Sequence, residues 1–192
     1  MMSMAYNIKD VFYLDTSATV TASTDGAGSA QLELSAYIDP IARGKSKAVG
    51  LAVYKIQWIV SQDSSPEPID DAEDRSFRAG LVAGLGVGDL ATGALSPLSS
   101  IFRATNDLLV ASFDFYGPRS MIANASTTPA MYNELITVNT EVPYVIVRDN
   151  VCLVYDVGDQ MAADTNLSVR LSVAQITLDQ STLNQLLRTQ TV

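Results

Sequence analysis

The stretch from Val49 to Gln62, V-G-L-A-V-Y-K-I-Q-W-I-V-S-Q, constrains the fold more than any other part of the chain. Its even positions, Ala52, Tyr54, Ile56, Trp58 and Val60, are all apolar. Its odd positions mix Leu51, Val53 and Ile59 with Lys55, Gln57 and Ser61. A period of two is the pattern of a strand with one face on a core and the other mostly wet. The stretch contains the only Trp of the chain and is about twice the length of an ordinary strand. It reads as the central strand of a β-sandwich.

The segments on either side carry the same period. Val11 to Leu14 reads as a short first strand, and Ala18, Val20 and Ala22 mark a second. Asp25-Gly26-Ala27-Gly28 is a turn signal, because glycine supplies the φ > 0 positions that tight hairpins need. Beyond it Leu32, Leu34, Ala36 and Ile38 alternate with polar neighbours, which predicts an antiparallel hairpin. Asp39-Pro40 stops that strand, since proline lacks a ladder donor and constrains the residue before it. Ser76 to Ala83 reads as another strand, and Ala91 to Thr105 as a short helix interrupted near Pro97. Leu109, Ala111, Phe113 and Phe115 give a strand with one strongly apolar face. Ser120 to Asn133 reads as a loop, and Ile136, Val138 and Val142 as a further strand.

Pro143 to Val157 has two apolar arms around Asp149-Asn150, a pair that tolerates left-handed backbone. A two-residue hairpin there would pair Ile146 with Leu153 and Val147 with Cys152. Both faces are apolar, so the ribbon should be buried on both sides or docked on a neighbour. Leu167, Val169, Leu171 and Val173 alternate cleanly, then the parity changes at Ile176 and Leu178, which predicts a β-bulge. Asp179 is placed to cap a terminal helix whose Leu183, Leu186 and Leu187 share a face. Eight or nine strands at hairpin spacing with little helix predict one all-β domain over residues 1–192. The best fit is an antiparallel sandwich of the single jelly-roll kind with one short C-terminal helix. An immunoglobulin-like sandwich fits less well, because the chain lacks the Cys…Trp…Cys spacing.

Composition excludes much chemistry. The chain has no histidine, which removes Ser–His–Asp and Cys–His catalysis and the commonest ligand for zinc, copper and iron. A single cysteine, Cys152, allows no internal disulfide, and its apolar neighbours predict a buried inert thiol. Gly44-Lys45-Ser46 ends like a phosphate-binding loop, but Asp39 stands at the required first glycine and a strand follows in place of a helix. Gly86-Val87-Gly88-Asp89-Leu90-Ala91 matches a loose dinucleotide pattern without the strand–helix–strand unit that gives it meaning. No enzymatic activity and no cofactor are expected.

The formal net charge is -9, which disfavours nonspecific binding to nucleic acid and to anionic membranes. No apolar run is long enough for a signal-peptide core or a transmembrane span, so synthesis in a cytoplasm is expected. Asp70, Asp71, Glu73 and Asp74 in the acidic loop from Gln62 to Asp74 are weak calcium candidates, as is the Asp156/Asp159 region. Arg43, Lys45 and Lys47 form a basic loop with no interleaved aromatics, which suits an acidic protein neighbour better than single-stranded nucleic acid. The run from Gly80 to Ile101 holds one charged residue, Asp89, and would make a contact surface if exposed. The subunit-contact candidates are therefore Arg43, Lys45, Lys47, Leu85, Val87, Leu90, Ile146 and Leu153.

The succession Gln31 to Pro40, then a short basic loop, then Leu51 to Trp58 resembles the small jelly-roll capsid proteins of tailless icosahedral viruses of archaea and bacteria. The pattern covers roughly residues 18 to 62, and the remainder agrees by strand count. The resemblance implies a self-assembling virion shell subunit, made in the host cytoplasm. Its partners would be copies of itself and other virion proteins, with no sequence-specific nucleic acid. It carries over no catalytic residue. The alternative is a carbohydrate- or calcium-binding sandwich module, which would need exposed aromatics such as Tyr116 or Tyr132 lining a groove.

Overall fold

Alternation in the sequence becomes alternation in burial. The computed structural model describes residues 11–39, 47–62, 76–84, 101–117, 119–120, 127–128, 131–136, 138–139 and 141–189. Eleven strands and one helix occur in them. In order they are β1 (Phe12–Val20), β2 (Gly26–Glu33), β3 (Ala48–Gln62), β4 (Ser76–Ala83), β5 (Leu109–Tyr116), β6 (Arg119–Ser120), β7 (Thr127–Thr128), β8 (Met131–Ile136), β9 (Tyr144–Ile146), β10 (Asn150–Asp159), β11 (Thr165–Leu178) and α1 (Gln180–Thr189).

All pairings are antiparallel. One sheet has the order β1-β11-β3-β9 and the other β2-β10-β4-β5-β8, while β6 and β7 form a small ribbon. The two main sheets share one core, to which β1, β3 and β11 contribute from one side and β4, β5 and β10 from the other. The arrangement is sandwich-like. Leu14, Val53, Leu171 and Val173 meet Leu81, Phe113, Phe115 and Leu153 there. Trp58 ties the sheets together, stacking on Phe113 with ring centroids 5.3 Å apart. The ring chain continues through Phe77 and Phe115 to Tyr132 on β8.

The long strand read from the sequence is β3, internal to its sheet, but its even positions do not share one environment. Ile56 and Val60 face the core, and so do Leu51 and Val53. Between them the pairing with β11 steps from Ser172–Lys55 to Val173–Val53, leaving Tyr54 as the extra residue. One unpaired residue inverts every side chain beyond it, so Ala52 and Tyr54 lie on the other face, packed with Ala174. The bulge expected in β11 near Ile176 is therefore in β3. The change of parity in β11 has a different cause. On the outer face Ala174 is buried among Ala52, Tyr54 and Val145, and Leu178 is buried under Leu183 of α1.

Two predicted hairpins are not formed. β1 pairs β11 and β2 pairs β10, so the Asp25-Gly26 signal makes a corner between sheets, with Ser23 at φ 53° and Gly26 at φ 111°. The residues flanking Asp149-Asn150 also part, β9 to β3 and β10 to β2 and β4. The expectation that this segment is buried on both faces is met, since Ile146, Val147 and Val151 through Val154 are all buried. The first two strands read from the sequence are one strand, β1. The predicted strand over 31–38 ends at Glu33, and Leu34 and Ile38 are buried from a turn in which the Ile38 amide donates to the Leu34 carbonyl. β8 occupies the end of the expected loop 120–133, whereas Val138 and Val142 lie outside any strand. The helix expected over 91–105 falls largely outside the described residues.

β4 and β5 occur where expected, and the Cys152 thiol is buried. So does the terminal helix. Asp179 accepts hydrogen bonds from the Thr182 amide at 2.7 Å and the Ser181 hydroxyl at 2.9 Å. These bonds, the amide first, hold its carboxyl below the usual range. Leu183 is buried, and Leu186 and Leu187 pack beside it on Ala48, Val147 and Leu178.

Candidate functional site

Charged residues within apolar strands mark the most structured polar site. β4 and β5 are otherwise almost wholly buried, yet each carries one charge, Arg78 and Asp114. They are direct cross-strand neighbours on the outer face of the five-stranded sheet, and Asp156 of β10 flanks Arg78 on its other side. Asp114 is 4% exposed. A buried carboxylate needs a partner, and Arg78 supplies a two-pronged one, Nε to Oδ1 at 2.6 Å and Nη2 to Oδ2 at 2.7 Å. The Tyr116 hydroxyl donates to the same Oδ2 at 3.3 Å. The bond to Asp114, the largest influence, pushes the Arg78 guanidinium above its ordinary value.

The wall beside this pair is built by residues 101–108. The Asn106 amide donates to the Ile101 carbonyl at 2.9 Å, and its side-chain oxygen accepts from the Leu108 amide at 3.1 Å. The turn so fixed buries Ile101 and Leu108 against Val82, Cys152 and Val154. It also lays Phe102 over Gly80, where a β-carbon would meet the ring at 2.9 Å. The guanidinium of Arg78 lies 6.0 Å from the Phe102 ring centroid. An open cleft of about 340 Å³ results, lined by Ser76, Phe77, Arg78, Phe102, Asp114, Tyr116, Asp156 and Gly158. The Asp156 carboxylate makes no side-chain hydrogen bond to any described residue.

A smaller cleft of about 220 Å³ opens between the sheets beside Trp58, with Lys55, Glu134, Ile136 and Val138 at its rim. Elsewhere two tyrosines join distant parts of the chain. Tyr155 donates to the Thr19 carbonyl at 2.8 Å, and Tyr144 to the Asp107 carbonyl at 2.6 Å. Burial pushes both phenols up, that of Tyr144 far up with Asp107 adding to it.

No protein-family model matches the chain, and no curated protein matches its sequence. The functional reading therefore rests on the residues themselves.

Of the subunit-contact candidates, Ile146 and Leu153 are corrected by the structure. Both are 0% exposed in the shared core, because their strands turn those side chains toward the opposite sheet. Neither offers surface to a second copy. Lys47 is exposed. Arg43, Lys45, Leu85, Val87 and Leu90 lie outside the described residues, as do the calcium candidates Asp70, Asp71, Glu73 and Asp74. Among the described residues no group of three or more acidic, His or Cys side chains gathers to hold a metal ion. Asp159 is engaged by the Ser76 hydroxyl at 3.4 Å, while Asp156 faces Arg78. The two aromatic candidates separate. Tyr116 lines the larger cleft, whereas Tyr132, 50% exposed, packs its ring on Phe113 and Phe115 at the sheet edge. Sequence reading missed the Arg78–Asp114 pair, although a lone charge inside each of two apolar strands is a signal for it.

Proposed function

We propose that the chain is a single jelly roll that serves as a virion shell subunit, assembling with copies of itself. The observation that carries this reading is the strand order. Taking the eight longer-range strands in sequence, the first pairs with the last, β1 with β11. The pairs β2–β10, β3–β9 and β4–β5 nest inside it. That nesting is one long hairpin folded over. Rolling it brings β11 beside β3 and β10 beside β4. A jelly roll is built this way, and capsid subunits use it, as do lectins and cupins. Cupins hold their metal with histidines, and this chain has none.

The surface supports the shell reading as well. Val11 and Tyr13 by β1 and Tyr132 and Leu135 on β8, both edge strands among the described residues, and Ile59 and Val142 are all large apolar side chains left exposed. Among the described residues no helix is long and apolar enough to cross a membrane. Size-exclusion chromatography with negative-stain imaging of the purified chain tests the proposal. Capsomers, sheets or shells that grow with concentration are expected. A strict monomer at every salt and protein concentration refutes it.

A further inference from the structure

We propose that the cleft around Arg78 binds a neutral pyranose sugar, stacked on Tyr116 and hydrogen-bonded between Arg78 and Asp156. The site is independent of the shell reading, since it is complete within one chain. Its volume of about 340 Å³ falls at the small end of ligand sites, which span roughly 300–1,000 Å³. Its polar groups are of both kinds. Arginine has five N–H donors; Asp114 engages two of them and Tyr116 also acts on the guanidinium, which still leaves donors for a ligand. Asp156, its cross-strand neighbour, offers acceptors with no described partner.

Charge selects among ligand classes. Asp114 and Asp156 against Arg78 leave one negative charge in excess, which disfavours phosphate and sugar acids. A cation would approach the ring of Phe102, but Arg78 already lies over it. A sugar meets the requirements that remain. Its hydroxyls both donate, to Asp156, and accept, from Arg78, and its C–H face covers the exposed ring of Tyr116. The fixed Arg78–Asp114 pair orients the donors before any ligand arrives, which lowers the ordering cost of binding.

The test uses the purified chain, with amide chemical shifts followed while methyl glycosides of glucose, galactose and mannose are added. Sodium phosphate and putrescine serve as ionic comparisons. At least one glycoside should shift the amides of Ser76 to Arg78 and Asp114 to Tyr116, with a dissociation constant on the order of 1 mM. Tyr116→Ala should weaken it about fivefold, as expected for one stacking ring, and Asp156→Asn should weaken it comparably without changing the melting temperature. No shift with any glycoside overturns the proposal. So does tighter binding of phosphate or putrescine, or binding that survives both substitutions. A monomer that binds the glycoside would refute the shell reading and leave this one standing.

Discussion

The Arg78–Asp114 pair makes an asymmetric prediction, because its two ends lie in different surroundings. Asp114 is 5% exposed at its side chain and Arg78 45%. Arg78→Met strips the carboxylate of both short hydrogen bonds and leaves it the Tyr116 hydroxyl at 3.3 Å. Breaking a buried pair from one side costs about 3–5 kcal/mol. The adjacent cleft admits water, which puts the cost here near the lower figure, about 3 kcal/mol. Asp114→Asn does less damage. The amide oxygen keeps one acceptor, and the guanidinium turns toward water, so the loss is about 1 kcal/mol. For a chain of this size 1 kcal/mol moves the melting temperature by about 2–4 °C. The two variants should therefore melt about 6–12 °C and 2–4 °C below the parent.

The double variant Arg78→Met/Asp114→Leu separates charge from packing. Replacing both partners with apolar groups is close to neutral when the volume is kept, so the double variant should be more stable than Arg78→Met alone. Urea unfolding at neutral pH, followed by Trp58 fluorescence, supplies the free energies. The reasoning is refuted if Asp114→Asn costs as much as Arg78→Met, or if the second substitution adds to the first.

Gly28→Ala places a β-carbon against the phenol of Tyr155, forcing the ring out and releasing its bond to the Thr19 carbonyl. The loss should be about 2–3 kcal/mol in urea unfolding, against about 1 kcal/mol for Tyr155→Phe, and a cost for Gly28→Ala below that of Tyr155→Phe refutes the contact. At the helix cap, the depressed Asp179 carboxyl stabilises α1 above its unfolded pKa of about 4 and loses that effect as pH falls through the lower folded value. Amide-exchange protection of Thr182 and Leu183 should fall with acid in the parent but stay level in Asp179→Asn, which keeps a capping oxygen that does not titrate. Parallel pH dependence in the two would refute that cause.

What was legible in the sequence was local. β4, β5, the alternating part of β11 and the Asp179 cap each depend on residues within one turn or strand of one another, and they occur where the pattern put them. Pairing depends on the whole chain. Asp25-Gly26 and Asp149-Asn150 carry the chemistry of a hairpin turn, but at both the chain leaves one sheet for the other, with left-handed backbone at the first, at Ser23 and Gly26. The bulge at Tyr54 was invisible because Ala52, Tyr54, Leu51 and Val53 are all apolar, so inverting them leaves no trace in the pattern. For the candidate site, Tyr116 was singled out as a side chain that needed a groove. Arg78 and Asp114, 36 residues apart, had no local reason to meet.

The distribution of exposed apolar groups bears on how copies of this chain would meet. Isolated sheet edges are usually blunted with charge or proline, because open N–H and C=O groups recruit other strands. β2 follows that rule in part, being short-chained and polar around Gln31 and Glu33. β1 and β8, also edge strands among the described residues, do not, since Tyr13 on one and Tyr132 and Leu135 on the other are exposed. β1 packs over β2, and β8 ends the opposite side of the β2 sheet. The two apolar edges therefore lie on opposite flanks. A contact that joins unlike flanks is head-to-tail, and such contacts close into rings when the rotation per subunit divides a full turn. Under the shell proposal a cyclic capsomer is thus the expected unit, with β1 of one subunit facing β8 of the next and the Arg78 cleft, on the sheet's outer face, left clear of the joint.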